Sequence, residues 1–404
     1  MYKALKLRFR NWKLKKKLTK QKVLFFEEDL VFKPVNVLLI DEIIPEFNKD
    51  SGSRRLSEII KLLLKNDVGV FLLADKKLYR YNSEYINFYK KLGVIVYEPK
   101  IYNGKLLTKK DFIELISPQL NYAWLHRPKV FKRFSNFIKS SNSKTQVIYD
   151  MCDFHYVRLL REYEHNKNED TKIEAERNLI SEIESCKAAD IIFAITDEDK
   201  QKVLEHYDNK DKIKVISNIH QPNEKSSSFN EFSKRSNILF IGNFRHKPNI
   251  DAVLYLHEEI MPLIWKSHPE IIVDVVGSYP TDNVKALHSD NFKIHGFVDD
   301  VSSFFNSSRI FFAPLRYGAG IKGKIGQSLE YNLPLVTTDV GAEGFDFGNY
   351  SEVMIANNAQ ELAEKVIALY SDQSLWNSVS DYSKTILEPF SLESIETTLV
   401  DTIN

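Results

Sequence analysis

Residues 309–338 read RIFFAPLRYGAGIKGKIGQSLEYNLPLVTT, and the elements that they predict set the fold class. Residues 309–315 form an apolar run that contains a proline near its end, which indicates a buried strand with a sharp stop. Residues 325–331 predict one short helix, Asn332 its left-handed cap, and residues 333–338 the next strand. A strand, a loop, a helix and a strand in this order are typical of a parallel α/β sheet.

The loop inside this stretch has the composition of a phosphate site. It contains Gly318, Ala319 and Gly320, followed by Lys322 and Lys324. Glycines let backbone N–H groups approach an anion, the N-terminus of the next helix adds partial positive charge, and lysines add full charges. A surface turn with two solvated lysines is the alternative that the loop alone leaves open.

The same alternation of short apolar runs and helical stretches fills most of the chain. It predicts strands at 35–40, 68–73, 94–97, 122–126, 146–149, 191–195 and 213–216, and then at 237–241, 271–276, 294–296 and 353–355. We therefore expect an α/β fold in which two Rossmann-like, doubly wound parallel sheets face each other across a cleft. In open sheets of this kind, ligands bind at the carboxyl ends of the strands.

The chain length suits two domains, since single cores rarely exceed roughly 250–300 residues and this chain has 404. We expect a basic extension at 1–30 and a first Rossmann-like domain at 31–220. A polar, serine-rich linker at 221–235 precedes a second Rossmann-like domain at 236–380. Residues 381–404 are expected to form a helix that returns to the first domain.

Composition excludes several classes of protein. A net charge of +1 and the lack of a basic, aromatic recognition motif argue against nucleic-acid binding. The two cysteines, Cys152 and Cys186, have neither a disulfide pattern nor zinc-site spacing. The longest apolar runs are far shorter than a membrane span, and the first residues do not read as a signal peptide. A cytoplasmic protein is therefore expected.

Charge is concentrated at the start of the chain. Residues 1–20 contain nine Lys or Arg residues and no acidic residue, together with Leu5, Phe9, Trp12 and Leu18. A basic amphipathic helix of this kind can lie on an anionic membrane surface, which predicts a peripheral position at the inner face of the cell membrane. A solvated tail, or a helix docked on a partner protein, is the alternative.

Further motifs accompany the glycine-rich loop. The second half contains FIGNFRHKPN at 240–249, VVGS at 275–278, HGFVDD at 295–300 and VGAEG at 340–344; the first half contains DSGSRR at 50–55, HRP at 126–128, YDMCDFH at 149–155 and SNI at 217–219. Together with PLRYGAGIKGK at 314–324, these blocks closely resemble the bacterial branch of the family 4 (group 1) glycosyltransferases, which have the GT-B fold. Only residues 1–30 fall outside the resemblance.

The resemblance implies a retaining transferase that binds its nucleotide-sugar donor in the second domain and its acceptor mainly in the first. It needs neither a cofactor nor a metal, so protein cations must neutralise the leaving diphosphate. Lys322 and Arg245 are the expected phosphate clamp, with Gly318, Ala319 and Gly320 as the backbone loop. Lys324 is the secondary candidate, because the first helical turn can point it elsewhere. An ordinary surface arginine is the alternative for Arg245.

The sequence departs from the family pattern in one motif. In register with the loop, the two glutamates of the family's Glu-x7-Glu motif correspond to Ala319 and Gln327, while Glu330 falls where the family has a small helix residue. The amide of Gln327 can still accept hydrogen bonds from ribose hydroxyls. A non-catalytic, glycosyltransferase-like partner subunit is therefore the second hypothesis.

The remaining expected site residues follow the family motifs. His155 is expected to face the transferred sugar, with Asp153 orienting its ring. The acceptor side comprises Arg54, Arg55, Asp150 and Arg158, and Gly52 lets the sugar diphosphate approach. The loop of Gly296, Phe297 and Val298 is expected to meet the nucleobase, and Glu343 either binds sugar hydroxyls or caps the next helix.

The function predicted from the sequence is transfer of a hexose-type sugar from a UDP-, GDP- or CDP-linked donor to a bacterial surface glycan or a lipid-linked acceptor, as in the synthesis of capsule or lipopolysaccharide. A Rossmann dehydrogenase is disfavoured, because no Gly-x-Gly-x-x-Gly motif follows the first strand.

Overall fold

The computed structural model of the chain describes residues 2–76, 83–223 and 231–403. Its strands are β1 (Asn36–Asp41), β2 (Gly69–Ala74), β3 (Ile95–Val96), β4 (Ile101–Tyr102), β5 (Lys105–Leu106), β6 (Tyr122–His126), β7 (Gln146–Asp150), β8 (Ile191–Ala194), β9 (Ile213–Val215), β10 (Ser236–Ile241), β11 (Val273–Val276), β12 (Phe292–Gly296), β13 (Ser308–Ala313) and β14 (Leu335–Thr337). Of the predicted linker, residues 224–230 lie outside the described residues.

The helices connect and cover these strands. They are α1 (Tyr2–Lys20), α2 (Ser51–Lys65), α3 (Glu84–Lys91), α4 (Lys109–Ile116), α5 (Pro128–Ser141), α6 (His155–Asn166), α7 (Glu169–Ala188), α8 (Asp197–Leu204), α9 (Lys247–Tyr255), α10 (Met261–Trp265), α11 (Asp282–Lys285), α12 (Ser302–Ser307), α13 (Gly323–Glu330), α14 (Asp339–Ala342), α15 (Ser351–Met354), α16 (Ala359–Ser371), α17 (Gln373–Leu387) and α18 (Leu392–Ile403). The helices that the alternation does not predict are α5 and α6 in the first domain and the short α11, α14 and α15 in the second.

The first sheet has seven parallel strands in the order β3-β2-β1-β6-β7-β8-β9. Every residue of β1 and β2 is buried, because helices cover both faces of a parallel sheet. Strands β2 and β3 follow on one side of β1, and β6 to β9 follow on the other side. The loops after β1 and β6 therefore lead away from each other and leave a crevice at the carboxyl ends of these strands.

The second sheet has five parallel strands in the order β12-β11-β10-β13-β14. The predicted strand at 353–355 is wrong: α15 ends at Met354, and Ile355 forms a single bridge to Thr337. Met354 is fully buried from this helical turn, and three apolar residues do not distinguish a strand from a turn of helix. The two doubly wound parallel sheets confirm the predicted fold class.

The last helix lies against the first domain. Ile395, Leu399 and Ile403 of α18 are buried in the same apolar cluster as side chains of β1 and β2. Glu396 accepts hydrogen bonds from Lys65 and Asn66 at the end of α2, at 2.6 and 2.7 Å. After completing the second sheet, the chain therefore returns to the first domain through α18.

The first helix projects basic and aromatic side chains into solvent. Phe9 and Trp12 are more than half exposed and stack at 6.0 Å, with Lys13 and Lys16 over their rings. Leu18 is buried, so the end of α1 is anchored on the first domain. Across the described ranges, we find no helix with the length and apolar character of a membrane span.

Candidate active site in the cleft

The glycine-rich loop after β13 turns into α13 with backbone angles that favour glycine. Gly318 has φ of 148° and Gly320 has φ of 68°, and a β-carbon on Gly320 would lie 3.5 Å from the β-carbon of Asp153 in the first domain. Ala319 packs against the apolar core of the first domain. The loop of the second domain is therefore seated directly on the first.

The first turn of α13 brings two lysines together. Lys322 is its N-cap residue, and burial lowers the pKa of its amine, with Glu343 opposing the shift. Burial and the charge of Lys322 lower the pKa of Lys324 to about 7. The Lys324 amine donates to the side chain of Asn249 and lies 4.8 Å from the centre of the Phe240 ring. Lys324 is partly buried and forms no ion pair with a carboxylate in the described ranges; its role as the secondary candidate stays a prediction.

A second helix begins against the first turn of α13. The N-cap residue of α2 is Asp50, which accepts from the backbone N–H of Ser53 at 2.8 Å. A β-carbon on Gly323 would lie 2.5 Å from that of Ser51, so only a residue without a side chain fits between the two helices. Gly52 lies in the first turn of α2, and its expected role in letting a diphosphate approach stays a prediction.

Glu343 lies between two cations at the loop. Its carboxylate is 2.9 Å from a guanidinium nitrogen of Arg161 and 3.5 Å from the amine of Lys322. The same nitrogen of Arg161 donates to the carbonyl of Gly318 at 2.9 Å. Glu343 is the residue after the last of α14, and the next helical turn, Gly348–Tyr350, has Phe347 at its N-cap, so Glu343 does not cap the next helix. Arg161 was not predicted as a site residue, because its partners Gly318 and Glu343 lie in the other domain, far along the chain.

Helix α6 joins the two domains through further contacts. Glu162 forms an ion pair with Lys247 at 2.6 Å, and His165 stacks on Tyr317 with ring centres 4.9 Å apart. Burial raises the pKa of Tyr317 to about 12. The polar face of α6 therefore faces the second domain instead of solvent.

His155 begins α6 and is held by carboxylates. Its Nδ1 lies 2.9 Å from an oxygen of Glu182 and 3.3 Å from an oxygen of Asp153, which also pairs with Arg158 at 3.2 Å. Burial alone would lower the pKa of His155, but the charges of Asp153 and Glu182 raise it overall. The contact with Asp153 was predicted, whereas Glu182 was not, because a lone glutamate in an amphipathic helix gives no sequence signal.

Asp199 is another carboxylate at the cleft that the sequence did not indicate. It lies near the start of α8, where its backbone N–H donates to the hydroxyl of the N-cap residue Thr196 at 3.0 Å. Burial raises the pKa of Asp199 to about 7, and the charges of Glu343 and Asp153 add to the shift. An oxygen of Asp199 would lie 4.0 Å from a β-carbon on Gly320, so this carboxylate faces the glycine-rich loop.

Arg55 and Asp150, which were both predicted on the acceptor side, form a buried ion pair with each other. Arg55 donates to Asp150 at 2.8 Å and to the carbonyl of Ile216 at 2.8 Å, and both side chains of the pair are at most 2% exposed. Asp150 also accepts from the indole N–H of Trp124 at 2.7 Å. Burial would raise the pKa of Asp150, but Arg55 and His126 lower it overall. The acceptor-side expectation for Arg55 and Asp150 is corrected, because neither can reach a ligand.

Arg54 has a structural partner in the other domain. Its guanidinium binds both oxygens of Glu330 at 2.8 and 3.1 Å, and His220 Nδ1 lies 2.8 Å from the same carboxylate. Glu330 is nearly buried at the end of α13. The head group of Arg54 therefore bridges the two domains, and its acceptor-side role stays a prediction. Arg158 keeps its place beside Asp153, and its acceptor role stays a prediction.

The other expected donor residues lie elsewhere on the second domain. The guanidinium of Arg245 lies over the ring of Tyr279 at 3.6 Å, and among the described contacts none joins it to Lys322 or Lys324. Phe297 is half exposed after β12, next to Gly296 with φ of 71°. Gln327 is partly buried in α13, three residues after Lys324 and thus on the same face. The clamp role of Arg245 and the base-side role of Gly296, Phe297 and Val298 stay predictions.

One buried group has the donor atoms of a metal site. His126, Asp150 and Cys152 offer ligand atoms within 4.8 Å of one another. Asp150 is already paired with Arg55, and Arg127 lies 3.5 Å from the neighbouring Asp41. The two arginines balance the two carboxylates, so the group does not require a cation for neutrality. The predicted absence of a metal cofactor stays a prediction.

Comparisons with known proteins match the second domain in sequence and both domains in fold. Residues 235–372 match the family described as "Glycosyl transferases group 1". A segment of 140 residues is 22% identical to an uncharacterized 44.6 kDa protein in the cps region of Klebsiella pneumoniae. The aligned segment covers 32% of this chain and 36% of that protein, about a third of its length.

Solved structures of low sequence identity share the whole architecture. HepE of Anabaena, in complex with UDP and glucose, has a TM-score of 0.65 at 13% identity, over 91% of this chain and 98% of its own. A glycosyltransferase from Rickettsia africae has a TM-score of 0.64 at 15% identity, over 92% and 98%. A TarM variant of S. aureus, in complex with fondaparinux, alpha-GlcNAc-glycerol and UDP, has a TM-score of 0.65 at 12% identity, over 92% and 100%. The chain thus has the GT-B fold, and residues 235–372 are similar to the group 1 glycosyltransferases.

Proposed function

We propose that this protein is a retaining glycosyltransferase that moves a sugar from a nucleotide-diphosphate donor to a bacterial surface glycan or a lipid-linked acceptor. The observation that carries the proposal is the partly buried pair of Lys322 and Lys324 at the first turn of α13, where burial lowers the pKa of both amines. The group 1 match at residues 235–372 supports it, as do structures of the same fold solved with UDP and UDP-glucose. We propose a UDP-linked donor on that ground.

The lysine pair would act on the leaving group. As the bond between the sugar and the phosphate breaks, negative charge grows on the nucleoside diphosphate. The amines of Lys322 and Lys324, with the free N–H groups of α13, would neutralise that charge from fixed positions. Such preorganised donors stabilise a transition state by several kcal/mol, roughly 3–4 for one donor in other enzymes. No metal ion is required by this scheme.

Transfer would proceed on one face of the sugar. The acceptor oxygen forms its bond to the anomeric carbon on the side from which the diphosphate leaves, and a phosphate oxygen takes the acceptor's hydroxyl proton. Burial lowers the pKa of His155, but Asp153 and Glu182 raise it overall, and its Nε2 would meet the sugar. The configuration at the anomeric carbon is then retained.

The direct test is a binding and turnover screen. Purified protein is incubated with UDP-, GDP- and CDP-linked sugars, and thermal shift and released nucleoside diphosphate are measured. We expect stabilisation and slow hydrolysis with a UDP-sugar. Binding without any turnover, even with added glycan acceptors, would favour the second hypothesis of a non-catalytic partner subunit, which the glutamine at position 327 motivates.

Donor binding is expected to take up a proton. The pKa of Lys324 is lowered to about 7 in the free protein, so at pH 8 its amine is mostly neutral, and an adjacent diphosphate favours the charged form. The terminal phosphate of UDP is already ionised at pH 8, since its second pKa is about 6. Titration calorimetry at pH 8 in two buffers of different ionisation enthalpy should show uptake of close to one proton.

The protonation of Lys324 also determines whether UDP affinity rises or falls with pH. UDP affinity should weaken as the pH rises above about 7, because the free protein then holds less of the charged Lys324. Lys324→Met removes the titrating amine and should abolish both the proton uptake and this slope. A wild-type protein whose affinity is flat from pH 6.5 to 9 would contradict the assignment.

The basic helix α1 is proposed to bring the enzyme to its acceptor on an anionic bilayer. Phe9 and Trp12 are exposed on α1 among the basic residues, and each basic residue near such a surface contributes about 1 kcal/mol. We expect the protein to co-sediment with vesicles containing phosphatidylglycerol but not with pure phosphatidylcholine. Replacing Phe9 and Trp12 with alanine should release it.

The control for this experiment removes an exposed apolar side chain elsewhere. Ile180 on α7 is 62% exposed, so Ile180→Ala loses comparable apolar surface without touching α1. It should leave vesicle binding unchanged. Equal binding to both lipid compositions, or binding only to an acidic protein or a nucleic acid, would exclude the bilayer as the partner of α1.

A further inference from the structure

We propose that Glu182 is a positioning residue, which fixes His155 for the transfer reaction by binding its ring and the start of the helix that carries it. The inference rests on the proposed function, since it assigns His155 to the sugar. Glu182 lies on α7, is 1% exposed, and belongs to none of the motifs that the sequence analysis selected.

Both oxygens of Glu182 are used on the first turn of α6. One accepts from the backbone N–H of His155 at 3.0 Å and lies 2.9 Å from its Nδ1, and the other accepts from the backbone N–H of Tyr156 at 3.1 Å. Phe154, the N-cap residue of α6, makes no side-chain capping hydrogen bond. A carboxylate from a neighbouring helix therefore supplies the cap that the local sequence lacks.

The ring contact determines which nitrogen is free. Since Glu182 is an acceptor, Nδ1 carries a proton and donates, and rotation of the ring would break this bond. Nε2 has no partner in the described ranges, and the side chain of His155 is 26% exposed. Nε2 is thus the nitrogen left to meet a ligand.

The cap also fixes the contacts further along α6. Arg161, two turns after His155, donates to the carbonyl of Gly318 and pairs with Glu343. The ring proposed to face the sugar and the arginine that holds the phosphate loop therefore share one helix. Glu182 sets the start of that helix, so it positions both sides of the reacting bond.

Three charged groups control the charge on the ring. Asp153 lies 3.3 Å from Nδ1 on the loop before α6, Glu182 faces it from α7, and Arg158 on α6 opposes both carboxylates. The net effect raises the pKa of His155. Glu182→Gln keeps the size and one acceptor oxygen but removes the charge, so the pKa of His155 should fall by about one pH unit.

The experiment follows His155 by NMR as the pH is changed, with its signal assigned by comparison with His155→Gln. We expect the pKa of His155 to fall in Glu182→Gln and to return towards the wild-type value in Glu182→Asp. As the pH is raised, Glu182→Gln should lose turnover at a lower pH than the wild type does. The change should affect kcat more than the KM for the donor. UDP binding reports whether each variant is folded.

The outcomes separate this inference from the proposed function. An unchanged pKa of His155 in a folded Glu182→Gln protein would overturn the positioning role, whatever the turnover. If the protein transfers no sugar at all, the NMR titration still measures the link between the two side chains. A variant that loses thermal stability while its pH profile of turnover stays unchanged would reduce Glu182 to a helix cap, and the inference would be wrong.

Discussion

Replacing Lys324 with alanine is expected to weaken UDP binding at pH 7 by roughly 10- to 100-fold. A hydrogen bond to a charged group is worth about 1.5–3 kcal/mol, and Lys324 has no carboxylate in the described ranges that would compete with a phosphate. Its neighbour Lys322 already shares Glu343 with Arg161, so part of that charge is neutralised before a donor arrives. Titration calorimetry with UDP measures the loss directly.

A stability measurement separates this effect from misfolding. Because the pKa of Lys324 is lowered on folding, its charged form destabilises the native state, fully below about pH 7 and not at all above the pKa of the unfolded chain, about 10.4. Lys324→Met should therefore melt at a higher temperature than the wild type at pH 6, while binding UDP less well. Lys285→Ala, which removes an exposed lysine of the same domain, should change neither property. A Lys324 variant with normal UDP affinity would remove the main support for the donor site.

Asp150→Asn is expected to destabilise the protein by about 3–5 kcal/mol. Asp150 is fully buried and holds the charge of Arg55, which is 2% exposed, so the variant leaves a buried guanidinium without a counter-charge. Asparagine can still accept from the indole of Trp124, so the loss isolates the ion pair. Chemical denaturation of the wild type and the variant gives the difference in free energy of unfolding.

A double variant serves as the control for this buried pair. Replacing Arg55 with methionine and Asp150 with leucine removes both charges, and such replacements cost far less than removing one partner. We expect the double variant to recover much of the stability. If Asp150→Asn were as stable as the wild type and raised only the KM for the acceptor, Asp150 would belong to the acceptor site after all.

The sequence predicted the local chemistry of the second domain well, because its signals are local. Asn332 adopts the left-handed conformation with φ of 48°, and Gly318 and Gly320 have the positive φ values that glycine permits. The strand, the glycine-rich loop and the helix cap can each be predicted from a few neighbouring residues. The two-sheet fold is confirmed on the same basis, since apolar runs at regular spacing predict parallel strands.

In the first domain, the positions of several side chains depend on contacts with residues that are distant in the chain, and these could not be predicted. Arg54 and Arg55 are adjacent and chemically identical, yet Arg55 is buried against Asp150 while Arg54 reaches Glu330 in the other domain. The polar face of helix α6 contacts the second domain, where Arg161 binds the carbonyl of Gly318 and Glu162 pairs with Lys247. Contacts between residues 85 or more positions apart in the chain leave no trace in one sequence.

The central claim is that the first turn of α13 holds the diphosphate of a nucleotide donor between the two sheets. A crystal structure of the protein with UDP tests it most directly. The account predicts both phosphates beside the loop of Gly318–Gly320, with the amines of Lys322 and Lys324 within hydrogen-bond distance. Phosphates bound elsewhere, for instance at the exposed pair of Arg245 and Tyr279 with the lysines untouched, would contradict it.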